Sequence, residues 1–261
     1  MMTDKLLVRL EGGVKRVTFN RPERRNALDF ESFAAFAEAV AASGSDGTRV
    51  LVITGAGEAF CSGLDLASIS PAELQTLDLA AAVRERINPP VLSMRRLGVP
   101  VLARVHGPAV GIGFSYALAA DVRIASTEAT FSQSFVRVGL MPDGGSTFFL
   151  PRLVGPASAY ELMATGRTLS AEEARGLGLV NRVVEPGELD AAVDEMAARL
   201  AAGPQPALAR IKSALAAREA DELAAALDFE AEGQAQCLRS ADFREGVAAF
   251  AEKRAPAFGR R

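Results

Sequence analysis

The stretch that most constrains this chain runs from Gly107 to Gly145. It opens G-P-A-V-G-I-G-F-S-Y-A-L, continues A-D-V-R-I-A and closes G-L-M-P-D-G-G. Gly107, Gly111 and Gly113 have the spacing of a tight strand-to-helix turn in which backbone comes close to a ligand. The apolar run Phe114 to Ala120 is the helix that this turn opens. A helix N-terminus presents unpaired N–H groups and the positive end of a dipole. Further on, Asp143 stands between Pro142 and a pair of glycines in apolar surroundings. By its neighbours alone, P-D-G-G is ordinary turn chemistry.

Around this stretch the chain alternates strands and helices. Residues 5–11 and 14–19 alternate apolar and polar about Gly12-Gly13, a hairpin signal. Asp29 can cap a helix with Phe30, Phe33, Ala34, Ala37 and Val40 on one face. The phenylalanines at 30, 33 and 36 therefore read as core. Arg49 to Thr54 reads as a buried strand, followed by the glycine-rich loop G-A-G-E-A-F-C-S-G-L-D-L. Ile69 to Leu97 reads as an interrupted helix, with Pro71 in its first turn and a break at Pro89-Pro90. Strands are expected at Pro100 to Val105, Asp121 to Ala125 and Ala129 to Gln133. The pattern of strand, helix, strand, glycine turn and helix repeats as structure, not as sequence. The second half is helical: a capping box at Ser170 to Glu173, a helix about Leu189 to Leu200 closed by Gly203, and tail helices at 206–219, 221–239 and 243–254.

Composition removes several function classes. With 49% hydrophobic and 23% charged residues, the chain of 261 can bury a full core. A formal charge of -3 without a long basic run argues against nucleic acid. The most apolar window, Val101 to Ala120, holds Arg104, His106, Pro108 and three glycines, so it suits a buried strand–turn–helix and not a membrane span. The first residues lack a signal-peptide apolar block. Cys61 and Cys237 form neither a metal spacing nor a disulfide framework, which fits a reducing, cytoplasmic compartment. Gly113 to Ala117 approaches a nucleophile elbow, but the single histidine, His106, precedes Ser115 and suits a structural role better. Gly111-x-Gly113 lacks the third glycine of a dinucleotide fingerprint.

In order and spacing, the motifs resemble the enoyl-CoA hydratase/isomerase family, the crotonase superfamily, over almost the full length. They are N-R-P-x-x-x-N-A-L at Asn20 to Leu28, I-T-G-x-G-x-A-F-C-S-G-x-D-L at Ile53 to Leu66, V-x-G-x-x-x-G-x-G at Val105 to Gly113, D-x-R-I-A at Asp121 to Ala125, and G-L-x-P-D-x-G at Gly139 to Gly145. L-P-R-L-V-G at Leu150 to Gly155 and A-x-E-A-x-x-x-G-L-V-N at Ala171 to Asn181 complete the series. The resemblance implies an α/β fold. Residues 1–200 would form a spiral of repeated ββα units, and residues 201–261 a helical region that builds a homotrimer, often stacked as a hexamer. It implies a coenzyme A thioester as substrate, with coenzyme A part of that substrate and no bound cofactor or metal. The backbone N–H groups of Leu64 and Ile112 would form an oxyanion hole for the thioester carbonyl. Arg25 and Ala27, the backbone through Ser62, Gly63, Asp65 and Leu66, and the turn at Gly111 would hold the coenzyme A arm. Arg24, Lys212 and Phe250 are further contact candidates.

The resemblance breaks at an informative place. Family hydratases carry two glutamates; this chain has Ser115 and Phe135 there. Hydration needs a base for water and an acid for the α-carbon. Members that move double bonds place an aspartate after the proline of G-L-x-P-D, and V-G-L-M-P-D-G-G-S-T-F-F-L-P-R-L-V-G is closest in flavour to the phenylacetate-pathway isomerases. The resemblance therefore makes Asp143 a catalytic base, with Met141, Phe148 and Phe149 as apolar walls that raise its basicity. Phe114 and Phe135, with Phe148 and Phe149, hint at a hydrophobic or aromatic acyl group. Asp65 reads as loop-capping, Asp121 as holding a strand start, and Arg123 as its partner or a surface group. The expected activity is acyl-CoA isomerisation through an enolate. A hydratase using Ser115 or a bound water, and a non-catalytic acyl-CoA binder, remain alternatives.

Overall fold

The computed structural model describes residues 4–259 except 71, 72, 74, 75 and 218. The sequence expectation at Pro71 lies outside these described residues.

A six-stranded sheet forms the spine. The hairpin β1 (Leu6–Glu11) and β2 (Val14–Phe19) pairs antiparallel across Gly12-Gly13. From β2 onward every neighbour is parallel, through β3 (Val50–Gly55), β4 (Val101–Val105), β6 (Val122–Ser126) and β9 (Arg182–Val184). A smaller sheet stands beside it, with β5 (Pro108–Val110) parallel to β7 (Thr130–Ser132) and β7 antiparallel to β8 (Leu169–Ser170). Isolated bridges Leu28–Leu64 and Cys61–Ala109 extend this second sheet backward through the chain.

Each circuit therefore gives one strand to the large sheet, one short pairing to the small sheet, and then a helix. Helix α1 (Phe30–Ala42) closes the first circuit, and Asp29 Oδ1 caps it by accepting the Ser32 N–H at 2.9 Å. The second closes through α2 (Leu79–Ala82), a π-helical turn (Val83–Ile87) and α3 (Asn88–Arg96). Pro89 and Pro90 do not break this helix as the sequence suggested. They occupy the first turn of α3, where their missing N–H groups are not needed, and the π turn absorbs the mismatch. Helix α4 (Ile112–Ala119) closes the third circuit and starts at Ile112, earlier than expected.

The parallel strands are apolar on both faces because both are covered. Val50, Val52, Leu102 and Ile124 meet Leu189, Ala192, Val193 and Ala197 of helix α8 (Leu189–Ala202). Leu51, Ile53, Val101 and Ala103 face the main core with Phe19, Phe33, Phe36 and Phe60. The main core also takes in α5 (Ser146–Val154), α6 (Pro156–Thr165) and α7 (Ala171–Gly176), the last entered through the Ser170–Glu173 capping box. Then follow α8 (Leu189–Ala202), α9 (Gln205–Ala216), α10 (Ala220–Leu238) and α11 (Ala241–Ala251). Helix α10 puts Leu223, Leu227, Ala231 and Ala235 into the main core, so it is packed across the spiral.

Arg123 is neither a surface group nor a partner of Asp121. It is buried and donates to the carbonyls of Leu179, Ala117, Leu118 and Ala120, closing the C-terminal end of α4. His106 donates its Nε2–H to the Gly57 carbonyl at 2.9 Å, joining two loops.

Candidate active site

A cavity of about 720 Å³ lies where the second and third circuits meet the C-terminal helices. Its walls include Ser62 to Ala67, Val110 to Ile112, Asp143 and Gln234, with Ile69, Leu77, Ile87 and Leu238 among the apolar residues.

One wall is made of backbone. The segment from Cys61 to Leu64 runs between two neighbours. Cys61 exchanges hydrogen bonds with the Pro108–Val110 strand, while the Gly63 carbonyl and the Asp65 N–H both turn to Leu28. A trans peptide points its C=O and N–H in opposite directions. The Leu64 N–H therefore points away from Leu28, toward the strand that ends at Gly111. Gly63 permits this with φ +103°, and a Cβ there would stand 3.1 Å from the Val110 carbonyl and 4.0 Å from the Ile112 nitrogen. Gly111, at φ +55°, makes the turn into α4. Its carbonyl accepts the Ser115 N–H, so the Ile112 N–H on the same peptide points out of the helix start. Neither the Leu64 nor the Ile112 amide donates to a backbone carbonyl among the described residues. Both residues line the cavity.

The same cavity is lined by a carboxyl. Asp143 follows a 3-10 turn (Ser134–Val138) and precedes α5 through Gly144 and Gly145. It is 4% exposed, and no Lys or Arg pairs with it among the described residues. Its Oδ2 accepts the Gln234 amide at 2.8 Å, and its Oδ1 has no partner. Burial, reinforced by the nearby Glu230 carboxyl and only partly opposed by Gln234, pushes its pKa up to about 8. Asp143 is therefore poised to hold and release a proton near neutrality.

Glu230 and Gln234 are the functional neighbours that sequence reading missed. Glu230 accepts the N–H groups of Gly145 and Thr147, each at 2.8 Å, and the Thr147 hydroxyl at 2.6 Å. It caps α5 from another helix, and burial raises its own pKa. The available signal was a pair of polar residues four apart on the otherwise apolar face of α10.

The other expected site residues divide. Arg24, Arg25 and Ala27 line the cavity mouth with Ser62, Gly63 and Leu66. Arg25 has a left-handed φ of +51°, and its carbonyl accepts the Ser62 N–H at 3.0 Å. Phe250 reaches the same mouth. Asp65 lines the cavity, but its carboxylate is bound to Arg21 at 2.8 Å and makes no helix cap. Lys212 is displaced from the expectation altogether. Its Nζ is buried on Asp121 at 2.7 Å and on the Val99 carbonyl at 3.0 Å, away from the cavity lining. Burial lowers its pKa. Asp121 meanwhile accepts the Val101 N–H and so holds a strand start as expected.

Of the four phenylalanines expected to mark the acyl group, Phe114, Phe135, Phe148 and Phe149, Phe135 lines the cavity, beside Gly111, and the other three do not. Phe148 and Phe149 do not wall Asp143: they pack on each other in α5 and under the guanidinium groups of Arg152 and Arg95. Met141 packs against Gly233, and Phe114 packs on Phe131. Ser115 is fully buried and absent from the cavity lining. Its hydroxyl bonds the Gly111 carbonyl and Ser146, which also accepts from Gln133.

Comparison with known proteins settles the family. The model of the enoyl-CoA hydratase/isomerase family matches residues 9–261. The chain belongs to the enoyl-CoA hydratase/isomerase family. It is 40% identical to the 1,2-epoxyphenylacetyl-CoA isomerase of Escherichia coli, over 98% of this chain and 99% of that protein. It is 41% identical to a probable enoyl-CoA hydratase of Rhodobacter capsulatus, over 94% of each chain. Among solved structures, an enoyl-CoA hydratase from Mycobacterium avium subsp. paratuberculosis superposes with a TM-score of 0.89 at 38% identity, covering 98% of this chain and 99% of that one. The architecture is thus the crotonase fold, and the family acts on acyl-CoA substrates. Among the described residues no helix is long and apolar enough to cross a membrane.

Proposed function

We propose that this family member is an acyl-CoA isomerase that shifts a double bond by moving one proton. The thioester oxygen lies between the N–H groups of Leu64 and Ile112, which stabilise the negative charge of the enolate. Preorganised donors of this kind are worth about 3–4 kcal/mol each in a water-excluded site. Asp143 takes a proton from the α-carbon and returns it to the γ-carbon, turning a 3-enoyl into a 2-enoyl thioester. The coenzyme A arm runs past Arg25, Ala27 and Ser62 to Leu66, enters as part of the substrate, and no resident cofactor takes part.

The observation that carries this reading is the buried Asp143 carboxyl on the cavity wall, which, unlike Asp65, has no cation partner among the described residues, leaves Oδ1 unpartnered and has a pKa of about 8. A hydratase working through Ser115 is disfavoured because that hydroxyl is sealed behind the α4 turn. A purely binding role leaves an uncompensated buried carboxyl without purpose. The E. coli relative's name favours isomerisation; the Rhodobacter relative's name favours hydration.

The exposed Tyr160, Ile211, Leu215 and Phe229 on α6, α9 and α10 support assembly as a trimer or hexamer. The cysteines, one buried and one half-buried, neither in a disulfide, fit the cytoplasm. The deciding experiment incubates 2-enoyl- and 3-enoyl-CoA esters with the protein in deuterated water and follows them by NMR. Double-bond movement that disappears in Asp143→Asn is expected. Rapid 3-hydroxyacyl-CoA formation overturns the reading.

A further inference from the structure

We propose that Gln234 is a positioning residue for the Asp143 carboxyl: its amide holds one carboxyl oxygen so that the other alone meets the substrate. The inference rests on the reading of Asp143 as the proton carrier.

The geometry starts with α10. Glu230 and Gln234 lie four residues apart on the same helix face and reach the same loop. Glu230 fixes the backbone just beyond Asp143, through the amides of Gly145 and Thr147. Gln234 fixes the side chain, by donating to Oδ2 at 2.8 Å. The last torsion of an aspartate is broad and nearly two-fold, so an unheld carboxyl presents either oxygen. With Oδ2 engaged, Oδ1 is the oxygen left buried without a hydrogen-bond partner, on a residue that lines the cavity. Gln234 itself lines the cavity, is 2% exposed, and leaves its own Oε1 without a partner.

This arrangement suits transfer by one oxygen. The α C–H bond breaks, an O–H bond forms at Oδ1, and the electron pair moves onto the thioester oxygen. Then the pair on oxygen re-forms the carbonyl, the α,β double bond forms, and the β,γ π pair takes the proton at the γ-carbon as the Oδ1–H bond breaks and leaves Asp143 a carboxylate again. Both transfers occur on one face of the substrate, and the proton stays with Asp143 between them. The donor also favours the charged form of Asp143 and so opposes burial and the like charge of Glu230. The other titratable side chain coupled to Asp143 is Tyr116 on α4, which is held neutral by burial and donates to the Ile87 carbonyl.

Gln234→Met keeps length and removes the N–H donor; Gln234→Asn shortens the arm and serves if the first variant folds poorly. The carboxyl of Asp143 is titrated by infrared difference spectroscopy against Asp143→Asn. The same proteins are assayed with a 3-enoyl-CoA deuterated at the α-carbon. The expected midpoint rises by about one pH unit, a tenfold change in protonation. The kcat falls roughly ten- to a hundredfold with KM within about twofold, and less label arrives at the γ-carbon. An unmoved midpoint overturns the inference whatever kcat does. A shifted midpoint in a protein whose parent moves no double bond upholds the positioning role and refutes the isomerase reading.

Discussion

Asp121 and Asp143 are both carboxylates drawn into the protein, and their surroundings are opposite. Asp121 accepts Lys212 at 2.7 Å and the Val101 N–H at 2.8 Å, with Arg95 3.5 Å from its second oxygen. Asp143 has one neutral amide and, nearby, another carboxyl. The first is neutralised and ties a strand start to the tail. The second is left needing a proton. A buried carboxylate that is paired holds structure together, whereas one left without a cation is available for chemistry.

The sharpest break of this contrast is by activity. Asp143→Asn is expected to lower kcat about a thousandfold on a 3-enoyl-CoA, while Asp121→Asn changes it less than about threefold. Equal losses in steady-state assays would erase the distinction. Next in size is stability. Lys212→Met removes the main cation from Asp121 and should cost about 3 kcal/mol in urea unfolding, with kcat preserved. A loss of activity without loss of stability would return Lys212 to the site.

The pH dependence sharpens the contrast further. Asp143 has a pKa of about 8 folded and near 3.8 unfolded. Because the folded value is the higher, its contribution is most favourable below pH 3.8 and declines as pH rises toward 8. Asp143→Asn should therefore melt above the parent by several degrees at pH 8, with no advantage near pH 3. The parent's kcat/KM should climb with pH to a midpoint near 8, since the base must be ionised. A flat profile between pH 6 and 9 denies Asp143 the role. The smallest effect belongs to the rim, where Arg25 is exposed: Arg25→Ala should raise KM by about three- to fivefold and leave kcat alone, because an exposed ion contact is worth at most about 1 kcal/mol.

How much was legible depended on the range of the interaction. The hairpin, the Asp29 cap, the Ser170–Glu173 capping box and the helix stop at Gly203 all follow from neighbours within a few positions, and each was readable. Strands β5, β8 and β9 are only two or three residues long and carry no readable alternation. Helices α5 and α6 are punctuated by Pro151, Gly155 and Pro156, which masks their period. At the site, Gly63 and Gly111 were visible because no other residue suits their left-handed backbone and close approach. The misplacement of Lys212 shows the other limit: its partner Asp121 is 91 residues away, and a buried lysine looks like an exposed one in the sequence.

The sequence by itself carried the family resemblance and the repeating circuit, because local steric rules and glycine spacing fix where a chain can turn; the backbone pair at Leu64 and Ile112 came with the resemblance. It also named Asp143. Only the tertiary structure decided what that aspartate is. The proton affinity of a carboxyl depends on which groups surround it, and Glu230 and Gln234 arrive there from a helix almost 90 residues further along, placed by packing and not by any local signal.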